Sequence, residues 1–384
     1  MTLRSAVVGA GVVSERHLSG LDRNPKTELA AICDLDEERA GEKAIKYGIK
    51  AYYDLDEMLA SEQLDWVHIC TPVRTHVPLA KQALKAGVPV LIEKPVAETV
   101  EAVEELEAAS RDTGVSVSVV HNHVFDPVMR KLRSRIDAGD LGEVRGVDLQ
   151  YTGLTPPDTP NRGSWAFDLL GGEFEEGIPH SLYLALYIAG YPTSRKEITA
   201  QTALRGEYKQ EFGYDGAQVG YVSDDGVICN AQMLSGTVPV RVLYVHGTEA
   251  SFAADIVSQT LVEFDRDYQG SPTGRAMNNV DQAVDRIAGT FENAISVVRR
   301  SRDDSWETAT ELDSLFHQLD READALLTGA EPAIPLEEAK WTITLMESIR
   351  ESAGGKTTGS DRPTEDTGSE AATDVGETAE PPQN

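Results

Sequence analysis

Three cysteines in 384 residues are too few and too scattered for a disulfide framework or a set of metal ligands. Cys33 and Cys70 fall in apolar, strand-like stretches, and Cys229 stands far from both. All three are expected as small buried hydrophobes in a reducing compartment. Long apolar runs are also missing; the longest are strand-sized, so no membrane-spanning helix is expected. The opening MTLRSAVVGAG lacks the basic start and apolar stretch of a secretory leader, so the expected location is the cytoplasm. Positive charge is scarce: 35 Lys and Arg against 64 Asp and Glu, a net charge of −29. Nucleic acids and anionic membranes need basic surfaces, and neither is an expected partner. Lysine is scarcest of all, 12 against 23 arginines. A carboxylate-rich, lysine-poor surface reads as that of a salt-adapted, haloarchaeal cytoplasm, where salt screens self-repulsion. The acidity then reports habitat rather than substrate.

What is present is a strict alternation. Residues 1–122 run strand, helix, strand, helix through "RSAVVGAG", "ELAAICD", "DWVHICTP", "VPVLIEKP" and "VSVSVVHN". That order gives parallel βαβ units in a doubly wound, Rossmann-type sheet. From 123 a helix is followed by six strand patterns, with a hairpin turn at "SDDG" where Gly226 supplies a positive φ. Helices return over about 275–300, 307–328 and 336–352. The fold class is α/β: a nucleotide-binding domain over 1–122 and an α+β domain over 123–352 with a mostly antiparallel open sheet. Residues 353–384 carry seven acidic and two basic side chains and no aromatic, Leu or Ile, the composition of a disordered tail.

The first candidate site is "VVGAGVVSERH". Gly9, Gly11 and Ser14 hold the G-x-G-x-x-G positions, with Ser14 as a small substitute for the third glycine. Gly11, Val12 and Val13 lead into a helix whose N-terminal N–H groups can hold a pyrophosphate. Asp34 ends the second strand, where an acid grips the adenosine ribose. The alternative is a helix cap, a role Asp36 could also fill. A carboxylate at 34 disfavours the 2′-phosphate of NADP, so NAD is expected; with one discriminating residue, NADP stays open. Thr71 and Pro72 end the third strand beside the cofactor crevice. His76 reads as a surface residue at a helix start, with the crevice as its alternative place.

The second candidate is "VLIEKP". Strands buried on both faces are apolar throughout, yet Glu93 and Lys94 stand where this one leaves the sheet. Ligands bind outside such carboxyl ends, within reach of a lysine held by strand and proline. The plain alternative is an ion pair at a sheet rim. Glu93 could position the lysine, touch the ribose or cap the strand. The third is "LLGGEFEEGIPHSLYLALYIAG". Glu176 and His180 are four apart, on one face if helical. Pro179 reads as the start of a buried helix over "HSLYLALYIAG". His is the commonest general base near neutral pH, although a core histidine paired with Glu176 would look the same.

Together these motifs resemble the glucose–fructose oxidoreductase / inositol dehydrogenase / rhizopine-catabolism (Gfo/Idh/MocA) family. The stretches that carry the likeness are "GAGVVSERH", "CTPVRTHVPLAKQALKAGVPVLIEKPVA", "FDPVMRKLRSRIDAGDLGEV", "GG…EGIPH" and "PAIPLEEAKWTITLMESIRES", within residues 3–352. The resemblance implies a cofactor site of Gly9, Gly11, Val12, Val13, Asp34, Thr71, Pro72, His76, Glu93 and Lys94. It implies that Lys94 touches both cofactor and substrate, through a cis Lys94–Pro95 bond. It places the catalytic histidine at His180, and a pocket-lining residue at Asn122. Where the family usually has Asp four residues before the histidine, this chain has Glu176; three after it, where Asp is frequent, it has Tyr183. The implied activity is hydride transfer between NAD and a sugar, polyol, inositol or sugar-derived acid. His180 would be the base, Lys94 would polarise the oxygen, and Glu176 would orient His180 or a substrate hydroxyl. No metal is implied, and a homodimer or homotetramer is. The rivals are an NAD-dependent glycosidase using transient oxidation, and a non-catalytic sugar or nucleotide sensor.

Overall fold

The computed structural model describes residues 2–160, 164–265 and 271–354; all of the tail expected over 353–384 except its first two residues lies outside them. Six parallel strands build the first sheet: β1 (Leu3–Val8), β2 (Thr27–Cys33), β3 (Lys50–Tyr52), β4 (Trp66–Ile69), β5 (Val90–Ile92) and β6 (Val117–Val119). Their order, β3-β2-β1-β4-β5-β6, is that of a dinucleotide-binding sheet. Helices α1 (Ser14–Arg23), α2 (Glu37–Tyr47), α3 (Leu55–Ser61), α4 (His76–Lys85) and α5 (Val100–Thr113) cover its faces. β4 and β5 are buried at every residue, which is why their sequences do not alternate.

The second sheet follows α6 (Pro127–Asp137). Its first strand is β7 (Val144–Leu154), and the long helix α7 (Gly172–Ala189) comes next. Then come β8 (Thr199–Ala203), β9 (Gly216–Val222), β10 (Ile228–Ser235), β11 (Arg241–Gly247), β12 (Ala250–Asp255) and β13 (Thr260–Asp265). The order is β13-β12-β11-β7-β10-β9-β8, antiparallel except for β10 beside β7. Gly226 sits at φ 78° in the β9–β10 turn, as its sequence requires. The chain ends in α8 (Pro272–Arg302), α9 (Trp306–Leu312), α10 (Ser314–Thr328) and α11 (Leu336–Ser352).

Four features depart from the sequence reading. β3 is a three-residue edge strand and β12 is "ASFAAD"; neither carries the alternation that marks a strand. The helix expected over 307–328 is two helices, because Asp313 leaves the helical conformation and accepts from Leu315 and Phe316 N–H groups to cap α10. α7 begins seven residues before Pro179, so this proline is internal rather than initial. It supplies no N–H to the preceding turn and crowds that turn's carbonyls. Finally, α10 returns to the first sheet: a Cβ on Gly20 of α1 would lie 2.5 Å from Leu319 Cδ1. Leu18 and Leu21 form one core with Leu315, Phe316 and Leu319.

α11 and α7 are joined by charge inside the core. Arg350 donates to Glu175 Oε1 from Nε (2.8 Å) and Nη2 (2.6 Å), and to the carbonyl of Glu98. Tyr214 and the Gly171 N–H hold the other oxygen of Glu175. Arg350→Ala would strand that carboxylate in the interior, and is expected to cost about 3–5 kcal/mol in urea unfolding at constant salt. A loss within experimental error would show the pair to be dispensable.

Candidate active site

The glycine turn follows β1. Gly9 adopts φ 101°, and a Cβ there would lie 2.6 Å from the Cys70 carbonyl oxygen at the end of β4. Only glycine fits. At Gly11 a Cβ would meet nothing within 4 Å, so the backbone is open to a ligand. Ser14 is buried and donates from Oγ to the Gly11 carbonyl at 2.6 Å, filling the third glycine position with a turn-closing bond. α1 begins at Ser14, and Val13 before it supplies no side-chain cap, so the N–H groups that open the helix have no side-chain acceptor of their own. Val12 is 84% exposed, a large apolar side chain left for a ligand to cover.

Asp34 accepts from Ala10 N–H at 2.6 Å and from Asp36 N–H at 2.9 Å. Asp36, not Asp34, caps α2, accepting from Arg39 N–H at 3.1 Å. Asp34 thus ties the glycine turn to the end of β2, and each carboxylate oxygen keeps a further lone pair for a hydroxyl. The glycine turn, open helix start and carboxylate fit a dinucleotide, at the carboxyl ends of the strands.

Thr71 and Pro72 leave β4 into a tight turn, where Thr75 Oγ1 donates to Thr71 Oγ1 at 2.7 Å. His76 is not the surface residue its position at a helix start implies. It is buried, and its ring bridges the carbonyls of Thr71 (2.7 Å) and Pro95 (2.9 Å). Burial lowers its pKa against the pull of both carbonyls, so the neutral ring donates one bond at a time. The result is a clamp between the β4 turn and the segment after β5.

That segment carries Glu93 and Lys94, with Lys94–Pro95 cis. Glu93 Oε1 meets His17 Nε2 at 2.8 Å, and His17 Nδ1 meets His68 Nδ1 at 2.9 Å. Both rings are fully buried. Burial opposes charge on Glu93, but the His17 hydrogen bond and the charges of His17 and Lys94 outweigh it and hold the carboxyl below its usual range. Burial, with His17 nearby, keeps His68 neutral. The sequence reading leaves His17 and His68 out. One signal was available: His68 interrupts a strand that is otherwise apolar and wholly buried.

Lys94 turns toward α7. Its Nζ donates to Glu176 Oε1 at 2.5 Å and to the Glu176 carbonyl at 3.0 Å, the turn that Pro179 loosens. The Lys94 side chain is 5% and that of Glu176 10% exposed, so the pair is nearly dry yet open at one side. One turn further along α7, His180 Nδ1 lies 2.8 Å from the Tyr183 hydroxyl. That oxygen also accepts from His123 N–H (3.2 Å) and lies 3.5 Å from Asn122 Oδ1. Burial pushes the Tyr183 pKa far up, so the phenol keeps its proton. His121 stacks on Tyr183 with centroids 4.3 Å apart, and Asn122 donates to Ser314 Oγ at 3.1 Å. Lys94, Glu176, His180 and Asn122 therefore converge around α7. Tyr183 is the partner shown at His180 Nδ1. Among the described residues no group of three His, Cys, Asp or Glu side chains could hold a metal ion. Cys33, Cys70 and Cys229 are free and buried, and burial pushes the Cys33 and Cys229 thiols up to about 12.

Residues 3–121 match the oxidoreductase family with an NAD-binding Rossmann fold, and residues 129–253 match the GFO/IDH/MocA C-terminal domain. The chain is 30% identical to 4-carboxy-2-hydroxymuconate-6-semialdehyde dehydrogenase of Sphingobium sp., over 60% of this chain and 71% of that one. It is equally 30% identical to D-glucoside 3-dehydrogenase of Escherichia coli, over 68% of this chain and 73% of that one. Among solved structures, the WlbA dehydrogenase of Bordetella pertussis with NADH and UDP-GlcNAcA shares the fold: TM-score 0.71, 18% identity, 92% of this chain and 96% of that one. With a glycine turn after β1, Asp34 after β2 and Lys94 after β5 of one six-stranded parallel sheet, this chain belongs to the Gfo/Idh/MocA family and is a dehydrogenase with an NAD-binding Rossmann domain.

Proposed function

We propose that the protein oxidises a carbinol of a sugar, polyol, inositol or sugar-derived acid, with Lys94 and His180 as its catalytic residues. The observation that carries this reading is the convergence of Lys94, Glu176 and His180 on one face of α7, reached from the strand end beside the glycine turn. Bound NAD supplies the hydride acceptor. Gly9, Gly11, Val12 and Val13 would hold its pyrophosphate, Asp34 the adenosine ribose, and Thr71 and Pro72 would line the crevice. His76 and Glu93 would act from beneath, by fixing the backbone and lysine above them.

Lys94 has three ammonium protons, two of them directed at Glu176. The third would point to a substrate oxygen, where a positive charge favours the developing alkoxide. His180 takes the hydroxyl proton. With Nδ1–H donating to Tyr183 and the tyrosine proton turned to Asn122, Nε2 becomes the accepting nitrogen. Tyr183 thus does for the base what a carboxylate does elsewhere, without adding charge. Glu176 holds Lys94, and its longer arm lets it do so from within α7.

The substrate class draws on relatives named for a glucoside and solved with a nucleotide-sugar acid. A relative of equal identity is named for a semialdehyde, so the reading commits to the reacting carbinol and not to one compound. The acidic surface is read as an adaptation to a salt-rich cytoplasm, and the active form as a homodimer or homotetramer. The test is a panel of sugars, polyols, inositols and their acids with NAD or NADP, in low and high salt. At least one carbinol is expected to reduce NAD, faster than NADP and faster in high salt. Aryl-glycoside cleavage without net NADH, or binding without reduction across the panel, would overturn the reading.

A further inference from the structure

α8 is a helix turned inside out. Its inward face is small and polar. A Cβ on Gly289, the one buried residue of α8, would lie 2.9 Å from Thr260 Cγ2 on β13. Asp285 accepts from Glu263 N–H at 3.1 Å, and Asn293 donates to the carbonyls of Ser258 and Gln259. The outward face is apolar. Met277, Val280, Val284, Ile287, Phe291 and Val298 are between 47% and 66% exposed. With Ala294 they fall at spacings of three and four residues throughout, the a and d positions of a heptad. Ala276, Ala283 and Ala288 flank the stripe, where small side chains let a second helix approach closely.

We propose that this face is a self-association surface on which two copies of the chain pack α8 against α8, antiparallel, about a twofold axis near Ile287. The stripe is complementary to itself in that arrangement. Met277 meets Val298 of the partner subunit, Val280 meets Ala294 of the partner subunit, and Val284 meets Phe291 of the partner subunit. Each contact occurs twice, as an isologous interface requires. Charge also selects the direction. Arg299, Arg300 and Arg302 crowd the last turn, whereas the first half is balanced, Arg275 and Arg286 against Asp281 and Asp285. Parallel packing would set the two arginine clusters and the two negative helix ends side by side; antiparallel packing separates them. A helix of 31 residues is about 46 Å long and about 10 Å across. Its outline of about 460 Å² falls short of the roughly 600–1,000 Å² that one partner gives to a stable interface, so neighbouring surface must add to it. A groove of about 650 Å³ between the start of α8 and the open sheet, walled by Tyr244, His246 and Phe264, extends the same side of the molecule. An apolar helix with basic ends could also lie on a lipid surface, but a body of net charge −29 is repelled by anionic membranes. The surface is independent of the catalytic reading.

The test uses the full chain in high salt, by sedimentation velocity across a concentration series. The wild type is expected to assemble in twos or multiples of two. Val284→Glu with Phe291→Glu is expected to raise the dissociation constant at least about 100-fold, because two carboxylates per chain would enter an apolar seam. Both positions are exposed in the monomer, so circular dichroism and NAD affinity should not move. Ile287→Cys should form a disulfide-linked dimer on mild oxidation. Met277→Cys should not, since its two copies would lie about 30 Å apart. A monomeric wild type, unchanged assembly of the double variant, or an absent Ile287→Cys cross-link would overturn the proposal. So would α8-dependent binding to zwitterionic vesicles.

Discussion

Lys94→Ala is expected to lower kcat about 1,000-fold while NAD still binds. The side chain has two jobs in the structure. It presents an ammonium at the carboxyl end of β5, and it neutralises Glu176 inside α7. Alanine removes the charge that would stabilise an alkoxide, and leaves a nearly dry carboxylate without its cation. Arginine should not rescue turnover, because a planar fork cannot repeat the three-way contact of one ammonium. The cofactor contacts assigned to Gly9, Gly11 and Asp34 do not depend on this residue. Cofactor affinity, read from the quenching of protein fluorescence by NADH, should therefore change by less than about tenfold. Wild-type turnover in Lys94→Ala would remove Lys94 from the chemistry.

His180→Asn is expected to cost about 100- to 10,000-fold in kcat and to flatten the acid limb of the pH–rate profile. Asparagine keeps the size of the side chain and loses the base. Tyr183→Phe separates this from a packing effect. It keeps the ring that His121 stacks on, and deletes only the hydroxyl at 2.8 Å from His180 Nδ1. That hydroxyl accepts from the protonated ring, so its loss disfavours the cation. The acid limb should then move to lower pH, with a kcat loss of about tenfold. A purely structural tyrosine would lower stability and leave the profile in place.

Much of the first domain is legible in the sequence because backbone constraints write it there. Gly9 must be glycine with a carbonyl 2.6 Å from its would-be Cβ, and the motif announces it. Lys94 is legible for the opposite reason: a charge has no place in a buried strand unless that strand ends at a site. The contacts between distant segments are not legible. His17, His68 and Glu93 come from α1, β4 and the end of β5, and no local pattern joins them. Pro179 misleads because its local preference for a helix start is overridden by packing. α7 is buried nearly all round, and Lys94 serves a carbonyl beside the break. α8 is legible as a helix from its period, but a period does not tell which face turns inward. Its inward face is set by Gly289 and Asn293 against β13, residues that a hydrophobic pattern ranks last.

Isotope transfer tests the central claim most directly. The protein is mixed with NAD and a carbinol substrate deuterated at the reacting carbon, in high salt, and the reduced cofactor is examined by mass spectrometry after one turnover. Deuterium should appear at C4 of the nicotinamide in the wild type, and be absent on the same timescale in Lys94→Ala and His180→Asn. Equal transfer in all three proteins would contradict the assignment of these two residues, and no transfer in the wild type would contradict the chemistry itself.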